Sequence, residues 1–183
     1  MQEGNMTTRT YTMTSTALMT AVTCILGPLA IPIGPVPVSL TPLAVFLSVY
    51  ILGTKGGTLA YLLYLLIGAV GVPVFSGFTG GLGKLAGPTG GYLVGFILMA
   101  LIGGWFIFRF YDKVAVQFLG MLLGLVVCYA FGTVWLSYSA GMPFGAALAA
   151  GVYPFIPFDL VKIAIAIFLG RTVRRRLERG GII

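Results

Sequence analysis

Apolar residues in this chain come in long runs, and the polar residues, glycines and prolines mostly mark where one run stops and the next begins. Bounding each run by Gly, Pro and charge predicts six helical spans, at about Met13–Ile31, Val36–Leu52, Thr58–Val72, Gly91–Phe108, Val114–Tyr138 and Phe158–Leu169. Several approach the 17–25 residues or so that cross a hydrocarbon core. The second, third and sixth are short. On length alone the second or third could be re-entrant, and the sixth spans only if its helix runs on into Arg171 or the apolar Phe144–Val152 run packs nearby.

Composition turns these runs into a class. Of 183 residues, 58% are hydrophobic and 8% charged, against about a quarter charged in a soluble domain. The expected fold is therefore an all-α membrane protein: one integral domain over 1–183, built as a six-helix bundle with irregular outer loops. Arg9 ahead of an apolar run imitates a secretory signal, but the run continues through Gly27-Pro28 and further spans follow.

A net charge of +7 would suggest nucleic acid in a soluble protein, so the location of the charges decides its meaning. Arg171, Arg174, Arg175, Arg176 and Arg179 follow the last run, as in a cytoplasmic tail that touches anionic lipid or a partner. With six spans and both termini inside, Arg9, Lys55, Arg109, Lys113 and these five fall on the cytoplasmic side, nine of the eleven basic residues. Lys84 and Lys162 are left over. The same topology sends three Gly/Pro-rich segments outward: Ile31–Pro37, Pro73–Gly90 and Ser139–Pro157. Such backbone is tolerated at membrane depth only where it is buried in protein or lines a polar cavity, which predicts a solute pocket opening outward.

Candidate chemistry is sparse. Cys24 and Cys128 lie inside apolar runs and the chain has no histidine, so both read as small buried hydrophobes and no metal site is expected. Glu3, Asp112 and Glu178 lie in a tail or a charged loop. Asp159 opens the last span three residues before Lys162, which on a helix puts the two on one face with Cβ atoms about 5–6 Å apart. Charges inside a span are costly and usually mark a pathway or site. The competing reading is a structural ion pair, or an N-cap Asp with a snorkelling Lys.

The glycine-rich stretch around Gly80, Gly81 and Gly87 matches no phosphate loop, because Leu85 follows Gly83-Lys84. Its backbone N–H groups could cradle an anion, with Ser76, Thr79, Thr89 and Lys84 as further donors and Phe75, Phe78 and Tyr92 as flat apolar surface. Small residues one turn apart, Ala17 and Ala21, Gly91 and Gly95, Gly120 and Gly124, allow close helix contact. A substrate-capturing subunit, a proton-coupled carrier using Asp159 and an intramembrane enzyme are the readings these residues leave; with a single intramembrane carboxylate and no histidine, acid–base machinery is too thin for the enzyme.

Taken together, VPVSLTPLAVFL (36–47), GVPVFSGFTGGLGKLAGPTGGYLVGF (71–96) and PFIPFDLVK (154–162) resemble the BioY family, the biotin-binding S components of energy-coupling factor (ECF) transporters. The resemblance implies a subunit of the bacterial cytoplasmic membrane, without cofactor or ATPase motif of its own. It would bind biotin on the outer side and dock on a T component driven by two cytoplasmic ATPase subunits. It also implies that Ala17 and Ala21 form the docking face, and that the loop Ile31–Pro37 closes over the ligand with Ser39 and Thr41. Thr41 departs from the glutamine that relatives often carry. Biotin's ureido ring would meet Lys162 and Asp159, with Tyr92, Phe75 and Val38 as walls, and its carboxylate would lie toward Gly80, Gly81, Gly87, Thr89 or Lys84. The inverted pose, with Lys162 on the carboxylate, stays open.

Overall fold

The computed structural model describes residues 3–181, with side chains from residue 10 onward, so the side chains of Glu3 and Arg9 lie outside the described residues. The chain runs α1 (Glu3–Leu26), β1 (Ala30–Ile31), β2 (Val38–Ser39), α2 (Thr41–Ala69), α3 (Leu82–Ala86), α4 (Gly90–Arg109), α5 (Val114–Ala140), α6 (Phe144–Gly151) and α7 (Ile156–Arg179). By length and apolarity, α2, α4 and α5 can each cross a membrane, and α6 with α7, bent by 47° across a short break, can supply a fourth crossing. The protein is an all-α multi-pass membrane protein.

α1 begins about ten residues before the expected span and stops ahead of Gly27-Pro28. Its threonines would be costly in lipid if left unpaired, but Thr16, Thr20 and Thr23 are buried and each donates to the carbonyl four residues back. Thr20 Oγ1 also reaches Ala60 O at 3.2 Å and ties α1 to α2. Ala17 and Ala21 sit on the opposite, exposed face.

α2 is a hairpin. Gly53 interrupts it with φ 82° and ψ 170°, a region open essentially only to glycine. In a straight helix Val49 and Gly57 would lie about 12 Å apart along the axis; here they are packed directly against each other. Two arms, 41–52 and 54–69, therefore run antiparallel, replacing the expected Val36–Leu52 and Thr58–Val72 spans. Gly57 allows this closeness, since a Cβ there would stand 2.6 Å from Val49 Cα and N. The first arm is shorter than expected because Pro37 and the β1–β2 pairing hold 36–39 extended.

α4 and α5 match the expected spans to within two residues. They pack through Gly95, Gly120 and Gly124, where added Cβ atoms would lie 3.0 Å from Cys128 Sγ, 2.1 Å from Phe106 Cβ and 3.0 Å from Met99 O. The small-residue spacings on these helices are thus internal packing. α7 runs on to Arg179, and the expected irregular Ser139–Pro157 segment holds α6, so the last span has both supports its short apolar run called for.

The bundle has two unlike ends. At one, Arg171 Nη1 donates to Tyr111 O and Arg174 Nη1 to Tyr50 O, an open carbonyl at the end of the first α2 arm. Two of the five tail arginines therefore turn back onto the protein instead of reaching for lipid. Arg171 stacks on Tyr111, and Tyr50 donates to the fully buried Gln117. The other end carries β1–β2, the 73–89 loop with its one-turn α3, and α6. Gly77 N donates to Pro28 O and Gly81 N to Gly68 O, so this end is knit together by backbone bonds.

Replacing Gly57 with valine forces the two α2 arms apart. We expect a loss of about 1–3 kcal/mol in thermal unfolding of the purified protein, while Gly145→Ala, where a Cβ meets nothing within 4 Å, stays near wild type.

Candidate functional site

The loop-rich end holds a cleft lined by Thr41, Thr89, Tyr92, Tyr129, Asp159 and Lys162 among others. Three helix N-termini converge on it: Thr41 is the first residue of α2, Thr89 the N-cap of α4, and Asp159 lies in the first turn of α7. Each brings the positive end of its dipole and N–H groups with no intrahelical acceptor.

The floor is an ion pair. Lys162 Nζ donates to Asp159 Oδ1 at 2.6 Å, and both residues are buried, at 7% and 3% exposure. Phe155 is the N-cap of α7, so Asp159 is not a cap, and Lys162 does not snorkel. Tyr129 on α5 donates its hydroxyl to Asp159 Oδ2 at 2.5 Å. Lys162 has three N–H donors and spends one on Asp159; each carboxylate oxygen has accepted one bond and keeps further lone pairs. The triad is thus charge-balanced yet retains bonding capacity toward the cleft.

The walls are apolar and held rigid. Tyr92 fits between Gly132 and Gly151, whose added Cβ atoms would lie 2.3 Å and 2.0 Å from its ring and hydroxyl, and Phe96 and Phe155 complete the surface. Above them, Val36 and Pro37 from the β1–β2 turn reach the cleft together with Ser39 and Thr41, whose hydroxyls bond at 3.0 Å. Thr89 lines the cleft with a buried Oγ1 that has no partner. A threonine N-cap ordinarily bonds its own helix; this one does not, leaving a buried hydroxyl unpaired on a residue that borders the cleft.

Of the residues the sequence singled out, Asp159, Lys162, Tyr92, Thr89, Ser76, Ser39 and Thr41 are brought together here. The others line different surroundings. Phe75 is fully buried edge-on against Tyr64 and over Gly68, and Val38 is buried in the core. Gly80 is required by close approach to Val72 O, 2.4 Å from where its Cβ would be, and Gly81 bonds Gly68. Gly87 O accepts from Trp135 Nε1 at 2.9 Å. Lys84 is on α3, outside the cleft. Much of the glycine-rich stretch therefore serves approach to the protein's own backbone, which fixes Thr89 at the rim. Tyr129 was not singled out; its signal was a hydroxyl in mid-span, which needs a partner, in a chain with one intramembrane carboxylate.

The BioY family model matches residues 1–179. The chain is 37% identical over 171 residues to "Biotin transporter BioY2" of Lactococcus lactis, covering 93% of this chain and 94% of that one. It is 39% identical to "Probable biotin transporter BioY" of Pyrococcus horikoshii, covering 86% and 93%. A crystal structure of "the S-component for biotin from an ECF-type ABC transporter" superposes with a TM-score of 0.86 at 30% identity, covering 96% of this chain and 95% of that one.

The triad's geometry sets an energetic test. Lys162→Met leaves the Asp159 carboxylate buried with only Tyr129 to answer it and should cost about 3–5 kcal/mol in thermal unfolding. Asp159→Leu combined with Lys162→Met should recover most of that loss. A double variant no more stable than Lys162→Met would mean the pair is not a buried ion pair in the folded protein.

Proposed function

The chain belongs to the BioY family, and we propose that its cleft is the biotin site of an ECF-type uptake transporter, in which this protein is the biotin-binding membrane subunit. The observation that carries the reading is the pairing, within one cleft, of a triad with spare donors and acceptors and an unpartnered hydroxyl across apolar walls. A cyclic urea needs both kinds of group: its carbonyl accepts from Lys162, and the N–H on that side donates to Asp159, as charge-assisted bonds. The bicyclic body lies against Tyr92, Phe96 and Phe155.

The carboxylate then points to the N-terminus of α4, where Thr89 Oγ1 and the helix dipole favour an anion. Neutral donors at Thr89, Ser39 and Thr41 take the role first given to Lys84. The inverted pose sets the ligand's carboxylate against Asp159, two like charges in apolar surroundings, and is disfavoured. The β1–β2 turn, with Val36 and Pro37 over the cleft, acts as the lid.

In the membrane we assign six crossings: α1, the two α2 arms, α4, α5 and the bent α6–α7 pair. The 41–52 arm is only about 18 Å long, so the lid segment completes its crossing. Lys55, Arg109, Lys113 and the tail arginines share the end opposite the cleft, which by the positive-inside rule faces the cytoplasm. Biotin enters from outside. Ala17 and Ala21, exposed on α1 in line with exposed Met13 and Ile25, form a flat strip on which a T component coupled to two ATPase subunits docks.

Calorimetry of the detergent-solubilised protein with biotin tests the site. Asp159→Asn should weaken binding by about 1.5–3 kcal/mol, the scale of a hydrogen bond to a charged group. Thr89→Val should cost about 1 kcal/mol, and Lys84→Ala should leave affinity within about twofold. Wild-type binding by both Asp159→Asn and Lys162→Ala would remove biotin from this cleft. The docking strip is tested separately: Ala17→Trp and Ala21→Trp should abolish co-purification with the T component and keep biotin binding, and unchanged co-purification would leave these alanines as lipid-facing surface.

A further inference from the structure

Tyr129 stands at a boundary. It lines the polar cleft and also a separate, almost wholly apolar groove on the outer surface of α5, α6 and α7, formed by Val126, Phe144, Leu148, Ile156 and Leu160 among others. Phe144, Ile156 and Val126 are exposed, so in a bilayer this groove meets acyl chains. Asp159 therefore bonds Lys162 at one oxygen and, at the other, a residue that also lines the lipid-facing groove.

Three features make that side chain more than a wall. Its hydroxyl is the donor to Asp159 Oδ2, at 2.5 Å, while Lys162 holds Oδ1. A carboxylate tethered at both oxygens cannot turn about its terminal torsion, which is otherwise broad, so its remaining lone pairs are fixed toward the cleft. The two tethers also differ in origin. Lys162 is one turn along α7 from Asp159, whereas Tyr129 comes from α5, so only Tyr129 registers the carboxylate against a second helix.

We propose that Tyr129 is a positioning residue for ligand recognition: it aims the Asp159 carboxylate at the ligand's N–H group and shields it from the lipid-facing groove. The proposal rests on the reading of the cleft as a biotin site. It accounts for a tyrosine at a place where packing alone would accept phenylalanine. It also predicts that the hydroxyl acts through Asp159 and not by touching the ligand, which separates positioning from direct contact and from general packing.

The test is a cycle between protein and ligand. Affinity for biotin, and for two cyclic carbamate analogues that each replace one ureido N–H by oxygen, is measured for wild type and Tyr129→Phe. Tyr129→Phe should weaken biotin binding about five- to twentyfold. For the analogue that lacks the N–H facing Asp159, the same substitution should matter less than about twofold. Wild-type affinity in Tyr129→Phe, or an undiminished penalty with both analogues, would overturn the proposal, the latter pointing to direct contact or packing. A ligand-free readout stands beside it: the Asp159 carboxylate stretch, identified by infrared difference against Asp159→Asn, should move in Tyr129→Phe, and an unmoved band would equally overturn it. Biotin binding by Asp159→Asn at wild-type strength would instead sink the assignment of the cleft while leaving the infrared result to judge Tyr129.

Discussion

Everything at the loop-rich end is arranged around one buried carboxylate. Asp159 in an apolar bundle is costly unless its charge is answered and its lone pairs are occupied. The protein answers the charge with Lys162 one turn on, and occupies the outer oxygen with Tyr129 from the neighbouring helix. Pairing alone seldom repays the desolvation of two ions, and a well-packed apolar pair would serve stability as well. The arrangement makes sense when the spare donors and acceptors are used by something else, and the cleft above them is where that something fits.

The same end shows why the α2 hairpin matters. Had residues 41–69 formed one straight helix, Thr41 would stand far from Tyr64, and the start of α2 would not share a cleft with the starts of α4 and α7. The reversal at Gly53, held closed by Gly57 against Val49 and capped by Arg174 on Tyr50 O, brings a third helix N-terminus to the site. Converging N-termini give a neutral scaffold a positive potential without another cation. Such a cleft suits a ligand that joins an anionic group to a polar ring.

Much of this was legible in the sequence, for reasons that can be named. The long apolar runs of α4 and α5 are too continuous to be anything but spans, and their ends fall within two residues of expectation. Asp159 and Lys162 stood out because charge inside an apolar run is rare, and helical spacing alone put them together. The glycine-rich stretch misled in part. Glycine reports close approach without saying to what, and at Gly80 and Gly81 the neighbour is the protein's own backbone. Lys84 attracted attention as a lone cation, yet charge carries no information about which way a five-residue helix faces. Tyr129 was missed because a tyrosine among apolar residues has the pattern of packing; its partner lies 30 residues away and only the fold joins them.

The two ends of the bundle are held in contrasting ways, and the contrast bears on how a subunit of this kind can move. At the arginine end, Arg171, Arg174 and Gln117 bond backbone carbonyls and Tyr50 bonds Gln117, tying α7 to α2 and to the α4–α5 connection. Such a clamp resists separation of those helices. At the cleft end the covering element is a two-residue strand pair whose turn carries exposed Ile31, Pro32, Gly34 and Pro35. A short ladder and an exposed tip put residues 31–35 at the low-stability end of the molecule, while Val36 and Val38 anchor the returning strand in the core. On the proposed reading, ligand exchange needs only this segment to open, while the bundle, clamped at its arginine end, stays one body.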